Sequence, residues 1–360
     1  ASAAEPAGAM ELALVADAPS TPTGLAISPA GRVFVMMPRF SADVPYTLGE
    51  VAADGTVTPY PDQATNDIVP AEPQRHLFHV PNGVFTPDGH LWLLDAGLPD
   101  GTGAPVPGGA KLVEMDIEAG RILRVVPLDP GVEPTSSLND LRVHIADGVA
   151  RAFVTDQGQD GKGAILAVDL ANDRVVRRLA GHSSTSSQPG LAKYVEHRRV
   201  ERRSGPDAPP RDVQGGANGI ALGPDGRRLY WAPLMARHLY AVETDLLLRE
   251  DADEGEIASA VEDLGEKGFT GGLAADAQDR VYLTLQEQNA VGRRLPDGRI
   301  EVIGSDPRLV WADTIVITPD RWLYVSGAQV NRRPEYNGGE DRQKPPYAIL
   351  RVRIDAGPAA

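Results

Sequence analysis

Thr23, Asn82, Asn139, Asn218, Gly271 and Asp313 share one kind of surroundings, and that is where chemistry is to be sought. Each heads a phrase of the type "NGIALGPDGRRLYWA", which starts at Asn218. A polar or small residue comes first, then a short apolar run, a turn rich in Pro, Asp and Gly, and a second apolar run. The other copies are "TGLAISPAGRVFVMM", "NGVFTPDGHLWLLD", "NDLRVHIADGVARAFVTD", "GGLAADAQDRVYLTL" and "DTIVITPDRWLYVSG". Five of the six leading residues carry a side-chain oxygen, and none is apolar. Brought to one axis, they would form a ring of oxygen donors. Such a ring suits a hard cation, Ca2+ before Mg2+, with Zn2+ as a further option. It equally suits a file of channel waters, and Asn or Asp before Gly is also an ordinary turn residue. Asp140 and Glu287 lie close to equivalent positions and would add charge, and His79, three residues before Asn82, is placed to reach the same rim.

The elements that must position these residues follow from the phrase itself. Two β-rich runs around a Pro-Asp-Gly turn are a hairpin. A second hairpin follows nearly every copy, as in "KLVEMDIEAGRILRVVPL" from Lys111, "AILAVDLANDRVVRRLA" from Ala164 and "HLYAVETDLLL" from His238. Two hairpins make a four-stranded sheet, which cannot bury both faces alone and must stack on its neighbours. Copies recur at intervals of about 42 to 79 residues, which fits blades of ~40–50 residues with insertions. The fold expected is all-β: one six-bladed β-propeller over residues 1–360, with four-stranded antiparallel blades and residues 1–10 as a tail. The last copy is followed by a single clear strand, "AILRVRI", and the early strand "ELALVAD" from Glu11 has no partner of its own. It is therefore expected to close the last blade. No segment shows sustained helical periodicity with caps. Long loops at Met37–Thr47, Asp62–Pro81 and Gln329–Tyr347 are placed to cover one mouth of the channel, and the longest insertion, from Ser183 to Gln214, lies between blades.

Composition narrows the partners. With 35 basic and 50 acidic residues the chain carries a formal charge of −15, which repels nucleic acid and anionic membranes. There is no cysteine, so thiolate metal sites, disulfides and cysteine nucleophiles are excluded. No G-x-S-x-G elbow, H-E-x-x-H motif or phosphate loop is present. The basic run His197–Arg203 reads either as an anion patch or as a solvated loop. A small-molecule partner and a monomer are expected. The small-residue start "ASAAEPAGA" reads as the mature end left after signal cleavage, hence an exported, periplasmic or secreted protein, with a cytoplasmic location as the alternative.

"LWLLDAG", "LNDLRV", "FVTDQG", "RRLAGHSSTSSQP", "NGIALGPDGRRLYWAPLMARHLYAV" and "ADTIVITPDRWLYVSG" occur in an order that resembles the major royal jelly and Yellow protein family. The resemblance runs from about Gly24 to Arg353 and implies the same six-bladed propeller. Insect members include proteins linked to dopachrome conversion, ligand carriers and nutritional proteins; bacterial members are generally described as hydrolases or gluconolactonase-like. The more distant likeness to gluconolactonase propellers implies a divalent cation on the channel axis. Asn139, Asn218 and Asp313 match its ligand positions best, while Thr23 stands where that pattern has Glu. The reading is then a lactonase-like hydrolase. Glu287 or Asp313 would activate water, with His79 as a proton shuttle if the reaction is instead an isomerisation of the Yellow type. Asn82, Asn139, Trp231 and Asn289 would contact substrate. The alternative is a propeller that binds a small ligand without converting it.

Overall fold

The computed structural model describes residues 8–359 and is a six-bladed β-propeller. The inner strands are Gly24–Ile27, Asn82–Phe85, Leu138–Ala146, Ala217–Leu222, Leu273–Ala275 and Ala312–Ile317. Each packs against the inner strands of its two neighbours, the sixth against the first, so the ring is closed around a channel. Thr314 Oγ1 donates to the Thr23 carbonyl at 2.6 Å across that last junction.

Closure of the sixth blade falls to Glu11–Ala16, which pairs antiparallel with Tyr347–Arg353 from Glu11 opposite Arg351 to Ala16 opposite Tyr347. The same segment reaches further on both sides. Gly8–Ala9 runs parallel to the outer strand of blade five, and Asp17 bridges to Thr56 in blade one. Part of the stretch expected as a tail is thus already in structure, with Met10 buried; residues 1–7 lie outside the described residues.

Burial follows the ring. One apolar cluster fills each of the six blade–blade interfaces, for example Trp92, Leu112, Leu141 and Val154 between blades two and three. A seventh cluster lies under the loops at one mouth. The turn between the first two strands needs a left-handed residue in every blade. Gly31, Gly89, Gly148 and Gly226 fill it in blades one to four, and Asp279 and Arg321 in the last two. An arginine there carries a steric cost of about 1–2 kcal/mol that glycine would avoid.

Blade four departs from the expected pair of hairpins. After His238–Glu243 the chain forms two short helices, Thr244–Leu248 and Glu254–Ala260, before the outer strand Glu262–Glu266. The start of the second is capped by Asp253, whose side chain accepts from the Glu256 N–H at 2.8 Å. Leu247 and Ile257 then bury against the core shared with blade three.

Candidate functional site

The backbone treats three of the six leading residues differently from the rest. In blade three, Leu138 faces Asp156 and Asp140 faces Thr155, so Asn139 is an extra, unpaired residue. In blade four the same slip leaves Asn218 between Ala217 and Gly219. In blade six Asp313 and Thr314 together oppose Ser326. These are β-bulges, which re-aim a side chain at the end of a ladder. The ladders of blades one and two run unbroken through Gly24 and Asn82. Asn139, Asn218 and Asp313 are therefore presented by a shared local device.

Hydroxyls on the second strands satisfy the backbone groups that such breaks leave unpaired. Thr155 Oγ1 accepts from the Asp140 N–H at 3.1 Å and donates to the Asn218 carbonyl at 2.6 Å. Ser326 Oγ accepts from Thr314 N at 3.2 Å, and Thr284 Oγ1 accepts from Gly271 and Gly272. Blade five can offer no side chain at its head. A Cβ on Gly271 would collide with the Gln286 amide, and one on Gly272 with the Asp313 carbonyl.

Asp140 is the second acid at this level. Asn82 Nδ2 at 2.8 Å, Leu141 N–H at 2.8 Å and Arg142 Nη1 at 3.1 Å all donate to its Oδ1. Its Oδ2 has no partner among the described residues. Asn82 Oδ1 accepts from Leu25 N–H, so both ends of this amide are used and Asn82 is a strut for Asp140. Asn218 donates its amide to Gln157 Oε1 at 3.0 Å, leaving its own oxygen available. Burial pushes the Asp140 carboxyl up despite its three donors. Asp313, half-buried at the rim, lies well above the usual carboxylate range, first from desolvation and then from repulsion by Asp140. Its remaining influences are Lys193 and a hydrogen bond from Trp311, both of which pull it back down. Two carboxylates that repel each other, Asp140 buried and Asp313 half-buried, stand beside neutral amide oxygens and form an oxygen-only donor set. That set fits a hard divalent cation.

A roof covers this mouth. The 183–215 insertion folds into two small hairpins, Tyr194–Val195 with Arg198–Arg199 and Glu201–Arg202 with Arg211–Asp212. Val195, Val200 and Val213 pack on Met235, Phe269, Trp311 and Val330. The basic run is glue for this roof: Arg199 binds Asp212 and Arg202 sits over the Tyr336 ring, while neighbouring Glu196 pairs with Arg332. Lys193 reaches inward, fully buried, donating to Gln286 Oε1 at 2.6 Å with its ammonium over the Trp311 and Phe269 rings. Burial lowers its pKa to about 7, and Lys267, buried nearby, is lowered to about 7 by burial and by Lys193 itself.

This pair has a consequence for stability. Between about pH 7 and pH 10 the unfolded chain keeps lysine protons that the folded chain has shed, so these groups make stability rise with pH over that window. Lys193→Met keeps the packing and removes one titration, relaxing the other. Urea melts at pH 7 and pH 9.5 should show the wild-type gain shrinking by about 1–3 kcal/mol in the variant. Equal pH slopes would contradict the burial of a shifted amine.

Other residues expected at the site are engaged elsewhere in the frame. His79 is enclosed between the Arg39 carbonyl, 3.1 Å from its Nδ1, and Asp95, and burial lowers its pKa to about 4, so it is neutral and poorly placed as a shuttle. Glu287 accepts from the Tyr194 N–H at 2.9 Å and pairs with Arg237, which makes it an anchor for the roof. Asn289 holds a left-handed turn with φ 49°. Trp231 is wholly buried, stacks on Tyr240 and donates to the Ser184 carbonyl. A cluster of Asp88, His90 and Glu114 lies at the other end of a blade from the rim, where His90 Nδ1 is already 2.8 Å from Glu114.

Fold and site together define a six-bladed propeller with an oxygen-lined axial site under a roof. The model of the major royal jelly protein family matches residues 87–326, and the chain belongs to that family. Major royal jelly protein 7 of Apis mellifera is 27% identical over 205 residues, covering 56% of this chain and 43% of that protein. Protein yellow of Drosophila erecta is 25% identical over 279 residues, covering 72% and 48%. The chain thus spans about half the length of the curated relatives it matches. Among solved structures, the calcium-binding protein regucalcin from Agrobacterium tumefaciens aligns with TM-score 0.56 and 17% identity over 96% of this chain and 97% of that one. A gluconolactonase from Xanthomonas campestris aligns with TM-score 0.55 and 12% identity, covering 98% and 99%. At these identities the likeness establishes the propeller fold.

Proposed function

We propose that this protein is a lactonase-like hydrolase acting at a divalent cation, Ca2+ foremost, on the channel axis. The observation that carries the reading is the coincidence of three bulges, at Asn139, Asn218 and Asp313, with the mutually repelling carboxylates Asp140 and Asp313. Asp313, Asn218, Asn139 and the free oxygen of Asp140 would hold the ion. The names of two structural neighbours, a calcium-binding protein and a gluconolactonase, support the same chemistry. When bound, the cation supplies Lewis acidity to an ester carbonyl.

The side chains divide the remaining work. Asp140, fixed by three donors on one oxygen, is the charge anchor. Asp313, with fewer hydrogen-bond donors than Asp140, is the better placed to accept a proton. It would take a proton from the attacking water and return it to the ring oxygen that leaves, so no net proton is held. Lys193 lies behind Asp313 and, when protonated, draws its pKa down, and the roof keeps bulk water out.

The test is turnover of a panel of γ- and δ-lactones in a pH-stat, using chelator-treated protein with and without Ca2+, Mg2+ or Zn2+. Hydrolysis of at least one lactone is expected, restored from the chelated baseline by a divalent ion. Absence of turnover with all three ions, despite binding of a lactone, would favour a carrier.

A further inference from the structure

Arg142 divides the channel. Its Nη1 donates to Asp140 Oδ1 at 3.1 Å and to the Leu141 carbonyl at 2.6 Å, and its Nη2 reaches the Leu273 carbonyl of blade five at 2.6 Å. The guanidinium therefore crosses from blade three to blade five beneath the acidic rim. On the far side lies a cavity of about 420 Å³ that opens at the end of the channel opposite the roof. Inner strands from all six blades line it, mostly through apolar side chains such as Leu25, Val84, Val143, Leu222 and Ile315. The residues proposed to hold the cation lie above this space; Asn82 and Arg142, which steady Asp140, form its inner end.

The cavity has a chemical polarity. A volume of this order is that of a small-molecule site, apolar with few polar groups. Its inner end holds Arg142, and of the five N–H donors of a guanidinium, Nε–H and one on Nη2 have no partner among the described residues. The positive charge is already balanced by Asp140, with Asp313 close behind and a formal charge of −15 on the whole chain. An anionic head is therefore disfavoured, while a neutral acceptor oxygen satisfies the two donors.

We propose that the lower channel is a second ligand site, for an uncharged, largely apolar molecule carrying one carbonyl oxygen, bound with that oxygen on Arg142. The site shares Arg142 with the rim, where Nη1 steadies Asp140, but its ligand is held by the other donors of that guanidinium and does not rest on the hydrolase reading.

The probe is 6-propionyl-2-dimethylaminonaphthalene, an uncharged aromatic ketone whose emission shifts to the blue in apolar surroundings. Titrated into the full chain, it should bind saturably at one site with a blue shift. The analogue without the propionyl group should bind about tenfold more weakly, and so should the corresponding naphthoate. Val143→Trp and Val316→Trp fill the cavity from two different blades and should each weaken the ketone at least tenfold. Arg142→Lys should abolish the preference for the ketone over its deoxy analogue. Calcium or chelator should leave the affinity unchanged. Absence of saturable binding, equal affinity for ketone, deoxy and acid probes, or binding displaced by calcium would each overturn the proposal. The comparison of the three probes on the wild-type chain decides the matter even if a filling variant fails to fold.

Discussion

Removing residues 1–16 lowers the melting temperature by about 10 °C or more and yields a chain that self-associates. The deletion takes away the outer strand of blade six, whose ladder runs from Glu11 to Ala16 against Tyr347–Arg353. It also removes the parallel pairing of Gly8–Ala9 with blade five and the Arg351–Glu11 ion pair. Lost ladder hydrogen bonds at ~1 kcal/mol each, together with burial of Met10 and Ala16, sum to several kcal/mol. The Tyr347–Arg353 strand becomes an open edge, which recruits other chains. Light scattering and thermal melts check both effects. A synthetic peptide of residues 8–18 should restore stability with increasing dose by refilling the edge. A truncated chain that melts like the full one would contradict ring closure by this strand.

That strand was legible in the sequence because "ELALVAD" stood without a partner while the last copy of the repeat lacked a fourth strand. The six blades were legible for a similar reason: each repeats a turn whose left-handed residue is marked by glycine in four copies. The helices of blade four were not, since Thr244–Leu248 is too short to show a period and its apolar side chains read equally well as a strand. The Asp253–Glu256 cap was the available signal for the second helix.

Asp313→Asn lowers turnover of the best lactone by 100-fold or more and weakens calcium by at least tenfold. The amide keeps the shape of the side chain but supplies less field to a hard cation and cannot accept a proton. It also ends the repulsion with Asp140 that helps hold Asp313 above the usual carboxylate range. The cation-free variant should therefore be at least as stable as the cation-free wild type, which separates loss of function from loss of fold. Thermal shift under calcium titration reads the binding term, because an ion bound only by the native state raises stability by mass action. Equal calcium-dependent shifts in the two proteins would remove Asp313 from the ligand set.

The site was only half legible. Residue types and repeat position single out Asn139, Asn218 and Asp313. The bulges that present them are register events between two strands, visible only once Asp140 is seen opposite Thr155 and Gly219 opposite Ala232. Asn82 shows the converse: it has the right type and position, yet both ends of its amide are used within the frame. Lys193 could not be read from its surroundings in a polar insertion, because its burial depends on the roof folding over Trp311 and Phe269. His79 and Glu287 have side chains suited to proton transfer, but the chain places one inside blade two and the other against Arg237.

The most direct test is long-wavelength anomalous diffraction from crystals of chelator-treated protein soaked in Ca2+. One strong anomalous peak is expected on the channel axis, about 2.3–2.6 Å from oxygens of Asp313 and Asn218. No peak on the axis, or a peak confined to Asp88, His90 and Glu114, would contradict the account.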